Sequence, residues 1–269
     1  MTECMEIKNL SYRYPDGTLA LDGLSLTIPL PSRTFILGSN GCGKSTLLRH
    51  LNGLIVPEAG SVTIAGRQLT KKTANSIRQN VGLLFDNPDT QIFSPSVAAD
   101  VRFGPVNLRL KPEEISRRVE EALRTVELRE LAEKSPYNLS LGQKKRCAIA
   151  GVLAMEPRIL LLDEPFSGLD AAALRQFLHT LSSLYDTGVT QIVSTHDVDL
   201  AYEWAEYVVI MERGRVKACG GRELMRDADL MSEAGLDLPL LVRLFQGMGQ
   251  IPDSLEQARQ WIDPNIRRE

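Results

Sequence analysis

The run GSNGCGKST, residues 38–46, fits the spacing G-x-x-x-x-G-K-[ST]. It lies between a compact apolar stretch, TFIL at 34–37, and the helical-looking STLLRHLNGL, the strand-before, helix-after setting of a phosphate-binding loop. Each residue type has a task there. The glycines let the backbone wrap close to an anion, so the N–H groups of the loop (Gly38, Ser39, Asn40, Gly41, Cys42, Gly43, Lys44, Ser45, Thr46) point inward. The following helix adds positive potential at its N-terminus. Lys44 can reach β- and γ-phosphates, and the Ser45 hydroxyl can ligate Mg²⁺. Cys42 sits inside the loop, so bound nucleotide is expected to shield it from alkylation.

Two adjacent acids close the apolar run ILLLDEP at 159–165. A strand-end turn would account for them. Beside a phosphate loop, metal and water chemistry accounts for them better. Asp163 is expected to hold Mg²⁺, directly or through water, and Glu164 to polarise an attacking water as general base. Successive strand residues point to opposite sides, so neighbouring acids can hold different roles.

Ser140 and Gly142, in NLSLGQ at 138–143, stand just before the apolar run CAIAGVLA. They can offer a hydroxyl and open N–H groups at a helix N-terminus, a second anion site; a plain helix cap would explain them equally. A single γ-phosphate seldom needs two phosphate sites from one protein, whereas two chains facing head to tail would each lend one. A third acid ends VGLLFDNPDTQIF at 81–93: Asp86 follows a strand that reads as buried, where desolvation would penalise it. Asp, Asn and Pro are also common turn formers.

These residues need a scaffold. Alternating strands come first, MEIKNLSYRY and LALDGLSLTI about the turn Pro15-Asp16-Gly17, then TFIL, SVTIAG and VGLLF. Residues 112–128 read as a helix, with Pro112 in its first turn, Glu113 and Glu114 at its positive end, and an apolar stripe of Ile115, Val119, Ala122, Leu123 and Val126. RILLLD is a continuous apolar strand of the kind buried in a parallel sheet. A helix at 171–185, strand TQIVST, a helix from Asp197 and strand YVVIM complete a β–α alternation. That alternation predicts a doubly wound α/β core, which the helical stretch at about 90–155 interrupts as a subdomain. LDLPLLVRLF and SLEQARQWI read as short amphipathic helices that pack on their own core or on a second copy.

The 269 residues are 43% hydrophobic and 24% charged, with a formal net charge of -3, ordinary for a globular chain. There is no basic excess to recruit nucleic acid. Cys4, Cys42, Cys147 and Cys219 are scattered without CxxC pairing, which predicts a reduced cytosolic protein and no zinc site. The N-terminus lacks the pattern of a signal peptide, and no run approaches the ~18–20 apolar residues of a membrane span. The expectation is a chain soluble by itself that reaches a membrane through a partner.

Taken together the motifs resemble the ATP-binding cassette (ABC) ATPases over roughly residues 5–225. They occur in family order: the phosphate loop, LSLGQ at 139–143, ILLLDEP at 159–165, SGLD at 167–170 and His196 in STHD. The resemblance implies an α/β fold with a RecA-like P-loop core, an N-terminal antiparallel β subdomain and the inserted helical subdomain. It divides the chain into an ATPase domain at 1–225 and a C-terminal helical tail at 226–269. It implies that Tyr14 stacks on adenine, that Ser140, Gly142 and Gln143 of one copy reach the nucleotide of the other, that Asp170 acts across that interface, and that His196 contacts the γ-phosphate. LSLGQ departs from the usual LSGGQ at Leu141. ATP and Mg²⁺ are the implied cofactors. A non-transport ABC protein acting on DNA or ribosomes is the weaker alternative, since the chain has neither a long heptad tract nor a second cassette. A subunit that binds ATP without hydrolysing it is the other, and intact Glu164 and His196 count against it.

FDNPDTQIF, FGPVNL, SLGQKKRCAIAG and EPFSGLD further resemble the ATPase subunits of energy-coupling factor (ECF) importers. FGPVNL and the tail with LDLP lean towards the cobalt/nickel group; vitamin importers are the alternative. The implied partners are a second ATPase copy, a transmembrane coupling subunit and a substrate-binding membrane subunit, at the cytoplasmic face of a prokaryotic membrane. In this family the position of Asp86 is usually Gln. The expectation is that Asp86 faces Mg²⁺-ATP, with the cation offsetting its desolvation, binds that cation, and slows basal hydrolysis. At ~5 Å and an effective dielectric of ~20, one carboxylate–phosphate charge pair costs about 3 kcal/mol. Gln91, a nearby amide, is assigned to a partner-facing groove.

Overall fold

Residues 4–262 are described by a computed structural model. In the first two strands apolar residues recur at the spacing of a sheet with one covered face. β1 (Cys4–Arg13) buries Met5, Ile7 and Leu10, and β2 (Leu19–Pro29), antiparallel to it, buries Leu24, Leu26 and Ile28. The chain then leaves for a second sheet through β3 (Arg33–Leu37) and enters α1 (Lys44–Asn52). It returns with β4 (Ala59–Ile64) and the two-residue β5 (Arg67–Gln68), giving a four-stranded antiparallel sheet in the order β2-β1-β4-β5.

After the short α2 (Ala74–Arg78), β6 (Val81–Leu84) joins the second sheet. Three helices follow, α3 (Val97–Asn107), α4 (Pro112–Thr125) and α5 (Leu141–Leu153), packed on one another as the inserted helical unit. β7 (Ile159–Asp163), α6 (Ala171–Asp186), β8 (Thr190–Thr195), α7 (Val198–Trp204) and β9 (Tyr207–Glu212) then alternate. β10 (Arg215–Gly220) turns back antiparallel on β9. The sheet order is β10-β9-β3-β8-β7-β6, with β9, β3, β8, β7 and β6 parallel.

Alternate residues of this sheet feed two cores. Ile36, Ile159, Leu161, Ile192, Val209 and Met211 face the antiparallel sheet and α1. Phe35, Leu37, Leu160, Leu162, Val193, Val208 and Ile210 face the helices. Burial on both faces is why β7 reads as an unbroken apolar run. The antiparallel unit, the α/β core and the helical insertion are all present.

Tail helices α8 (Ala228–Glu233), α9 (Leu240–Phe245) and α10 (Leu255–Ile262) put Met231, Leu241, Val242 and Ala258 into the helix-side core. They also clasp α7: Asp199 Oδ1 accepts from Leu240 N, and Glu203 Oε1 accepts from Leu255 N at 2.9 Å. α2, β5 and β10 carry no sequence pattern strong enough to predict them, because each is short or edge-exposed.

The register sets the site. Leu37 of β3 lies beside Thr195 of β8, Asp163 of β7 beside Ser194, and Leu84 of β6 beside Leu162. The phosphate loop, Glu164, His196 and Asp86 therefore leave the same edge of one sheet. The carboxyl ends of parallel strands are where α/β folds bind ligands.

Candidate nucleotide site

Between β3 and α1 the backbone turns too tightly for side chains. A Cβ at Gly43, where φ is +107°, would lie 2.6 Å from the Ala20 carbonyl oxygen; one at Gly38 would lie 2.5 Å from that of Met211. Lys44 is buried, and its Nζ donates to Gly38 O at 2.7 Å and Ser39 O at 3.4 Å. The loop thus wraps its own lysine, the concavity an anion would enter. A cleft of about 340 Å³ opens there, lined by Tyr14, Asn40, Gly41, Gly43, Lys44, Ser45, Thr46, Asp86 and Glu164 among others. Tyr14 is held at its rim by a 3.0 Å hydrogen bond between its hydroxyl and that of Thr46, with Arg49 donating to it at 3.4 Å.

Cys42 does not fit its expectation. Its side chain is 4% exposed and packs into the core between the sheets, and burial raises its thiol pKa. The fold itself shields it from alkylation, before any nucleotide does.

Asp163 is 3% exposed. Burial, with Asp86 and Glu164 nearby, raises its pKa, while hydroxyls of Ser194 and Ser45 hydrogen-bond the carboxylate and lower it. Glu164 follows with φ +41°. Its N–H donates to Ser194 O at 3.0 Å and Ser194 Oγ at 3.2 Å, which fixes the backbone of the turn. Its Oε2 lies 3.0 Å from His196 Nδ1. Its Oε1 is buried without a hydrogen-bond partner, and Lys44 Nζ is 3.5 Å away. These residues fit Mg²⁺ and a triphosphate. Hard oxygen donors, Ser45 and Asp163, stand together beside the wrapped lysine, and an acceptor oxygen is left over at Glu164.

Asp86 lines the same cleft but is exposed. The desolvation expected of it is not found: burial along β6 ends at Leu84, and Asp86 is exposed. Gln91 has a second task besides lining the groove. Its Nε2 donates to Leu83 O at 3.1 Å and its Oε1 accepts from Phe85 N at 3.0 Å, so the amide completes the edge of β6 and pins the loop that carries Asp86.

Ser140 caps α5. Its hydroxyl accepts from Gln143 N at 3.3 Å, and Gln143 Oε1 accepts from Ser140 N at 3.0 Å, a reciprocal capping box. Asp170 caps α6 by its side chain alone, its Oδ1 accepting from Ala172 N and Ala173 N at 3.0 and 2.8 Å. Ser140, Gly142, Gln143, Arg146 and Asp170 line a second cleft of about 540 Å³. It shares no lining residue with the first. One chain brings Tyr14, the phosphate loop, Asp86 and Glu164 into one cleft and leaves the Ser140 group in another.

Sequence reasoning missed Ser194, which bonds both Asp163 and Glu164, and Lys145, which donates to the carbonyls of Glu164, Pro165 and Ser167. A signal for Lys145 existed. It shares the spacing i, i+3, i+4, i+7 with buried Ala148, Ile149 and Val152, so a charged residue stands on the covered stripe of its helix.

A lysine wrapped in the loop that ends β3, facing acids at the end of β7, is the arrangement of a P-loop nucleoside-triphosphatase. The family model described as ABC transporter matches residues 21–167, more than half of the chain. The chain belongs to the ABC transporter family, whose ATPase subunits bind ATP with Mg²⁺. It is 51% identical over 263 residues, 97% of each chain, to the energy-coupling factor transporter ATP-binding protein EcfA of Carboxydothermus hydrogenoformans. It is 45% identical to the EcfA of Methanosphaera stadtmanae, covering 91% of this chain and 90% of that protein. Among solved structures it is similar to cbiO1 from Clostridium perfringens, part of the ABC transporter complex cbiONQ, with 37% identity, TM-score 0.76, and 91% and 100% of the two chains covered. A dimeric ATP-binding cassette in a post-hydrolysis state with ADP and Pi has 28% identity and TM-score 0.73, covering 81% of this chain and 98% of that one.

Proposed function

We propose that this chain is the ATP-hydrolysing subunit of an ECF-type importer, working as a pair of cassettes beneath membrane subunits, with cobalt or nickel ions as cargo. The observation that carries the pairing is the separation of the two clefts. Lys44 and Glu164 stand in one, Ser140 and Gly142 in another with no residue in common. Two copies arranged head to tail bring the first cleft of each against the second cleft of the other. ATP then lies between the phosphate loop of one chain and the N-terminus of α5 of its partner, with Tyr14 against adenine and Asp170 at the seam.

Ser45 and Asp163, with Asp86 near, would hold Mg²⁺, which would supply positive charge against the triphosphate. Glu164 takes a proton from water as its oxygen attacks the γ-phosphorus. The bond from that phosphorus to the bridging oxygen breaks, and ADP leaves with the electron pair. His196, held on Glu164 Oε2, orients the carboxylate and contacts the γ-phosphate. Lys44 turns from Glu164 to the phosphates.

Hydrolysis separates the copies and moves α3–α5. A groove of about 600 Å³ beside them, with Leu54, Phe85, Phe93, Phe103 and Met155 in its lining, receives a short helix of the transmembrane coupling subunit. Phe93 and Phe103 are exposed there, edge to face at 4.8 Å. Leu244, Met248 and Ile262 are each exposed on the tail, and we assign them to contact between copies. The similarity to EcfA proteins and to cbiO1 supports the importer class. The cobalt/nickel cargo leans on the FGPVNL and LDLP segments.

The test is reconstitution of the chain with its membrane subunits in vesicles. ATP consumption coupled to uptake of Co²⁺ or Ni²⁺ supports the proposal in full. Uptake of a vitamin instead removes the cargo assignment, and no ATP consumption removes the proposal.

A further inference from the structure

The second turn of α5 carries a lysine where water does not reach. Lys145 is 1% exposed. Its ammonium donates to Glu164 O at 3.1 Å, Pro165 O at 2.9 Å and Ser167 O at 2.8 Å. An ammonium has three N–H donors, and here each finds a carbonyl of one turn. Filling space does not account for it: an apolar side chain packs as well and avoids desolvating a charge.

The turn is the one that shapes Glu164. That residue adopts a left-handed backbone at φ +41° without being glycine, a conformation that persists only where the surroundings hold it. Ser194 grips its N–H and Lys145 grips its C=O. Between those two anchors the side chain presents Oε2 to His196 and Oε1 towards Lys44. α5 meets the same segment twice more with no side chain to spare. A Cβ at Gly168 would lie 2.7 Å from Leu141 Cδ2, and one at Gly142 would lie 2.9 Å from Ala173 Cβ. The N-terminal turns of α5 and residues 164–173 are one packed unit.

We infer that Lys145 is a positioning residue for hydrolysis: through the carbonyls of residues 164–167 it sets the carboxylate of Glu164, and it ties that carboxylate to the helix whose Ser140 faces the partner's nucleotide. This rests on the assignment of Glu164 as general base. Engagement of one copy's α5 by the other's ATP is then felt at the first copy's own Glu164, which links the two sites of the pair.

The experiment compares the full-length wild type, Lys145→Met, Lys145→Gln, Glu164→Gln and the double variant Lys145→Gln/Glu164→Gln in steady-state hydrolysis with Mg²⁺-ATP. Displacing a reacting group by about 1 Å can cost up to ~100-fold. The expected result for Lys145→Met is a kcat lower by about tenfold or more, with KM for ATP within about threefold. Lys145→Gln, which keeps two N–H donors, recovers part of that loss. The double variant falls no further than Glu164→Gln alone, because Lys145 acts through Glu164. Should Lys145→Met fail to fold, Lys145→Gln and the cycle decide. Wild-type kcat in Lys145→Gln while Glu164→Gln is inactive overturns the role of Lys145 and leaves the base assignment standing. So does a double variant that drops below Glu164→Gln by the factor Lys145→Gln costs alone, the pattern of a merely structural defect. Wild-type turnover in Glu164→Gln removes the base assignment and this inference with it.

Discussion

Glu164 Oε1 is buried without a hydrogen-bond partner, 3.5 Å from Lys44 Nζ. The ammonium's charge offsets part of the desolvation of this oxygen but gives it no hydrogen bond, and water beside a γ-phosphate would supply the missing donor. Replacement by Gln keeps the shape and removes the base. Glu164→Gln should slow hydrolysis by about 10²–10⁴-fold, the usual worth of a general base, while ATP binding persists. With Mg²⁺-ATP the variant should elute from a sizing column as a dimer; a monomer at saturating nucleotide would contradict the paired site.

Asp86 puts a third carboxylate near Asp163 and Glu164, in a cleft meant for phosphates. Because it is exposed, neutralising it costs the fold little. Its effect belongs to the nucleotide-bound state, where like charges repel. Asp86→Gln should raise basal ATP turnover several-fold and shift its Mg²⁺ requirement. Rates and Mg²⁺ titrations equal to wild type would show that Asp86 does not touch the reaction.

Where function follows from local pattern, the sequence was readable. The spacing from Gly38 to Thr46, the acids ending β7 and the apolar run ending before Asp86 each lie within one loop and its flanking elements. What could not be read depends on contacts between distant segments. Lys145 meets the turn at 164–167 from another helix, 19 residues away at the nearest, and nothing in KKRCAIAG says where its ammonium goes. Cys42 reads as nucleotide-facing because its loop does, yet a loop has two sides, and the missing Cβ of Gly38 leaves room for the Cys42 sulfur on the core side. Gln91 reads as a groove residue, but only the edge position of β6 explains why its amide turns back on Leu83 and Phe85.

Asp163 sets function against stability. Its folded pKa is raised by burial, so the native state holds its proton at pH values where the unfolded chain has released it. Stability from this group therefore falls as pH rises from the ordinary 3.8 through the raised value, and stays lower at neutral pH. Asp163→Asn mimics the neutral acid. It should raise the Tm of the nucleotide-free chain by about 2–4 °C per kcal/mol relieved. It should also abolish Mg²⁺-dependent hydrolysis and the thermal stabilisation that Mg²⁺-ATP gives the wild type. A scanning-fluorimetry series with and without Mg²⁺-ATP reads both effects, and a lower nucleotide-free Tm would show that the Ser45 and Ser194 bonds outweigh burial.

Lys145 titrates within reach of ordinary assays. Burial brings its ammonium down from 10.5 to about 8, although Asp86 and Glu164 pull the other way. Between pH of about 8 and 10.5 the unfolded chain keeps a proton that the folded chain loses, so this group's contribution to stability rises with pH across that window. Its contribution to hydrolysis moves in the opposite sense. A neutral amine has two N–H groups, so one carbonyl of Glu164, Pro165 or Ser167 loses its donor and the turn loosens. Lys145→Gln has two donors at every pH and no titration of its own. The ratio of wild-type to Lys145→Gln kcat, measured from pH 7 to 9.5, should therefore be greatest at neutral pH and decline through about pH 8 towards unity. A ratio that does not change with pH would mean that the third N–H contributes nothing to turnover.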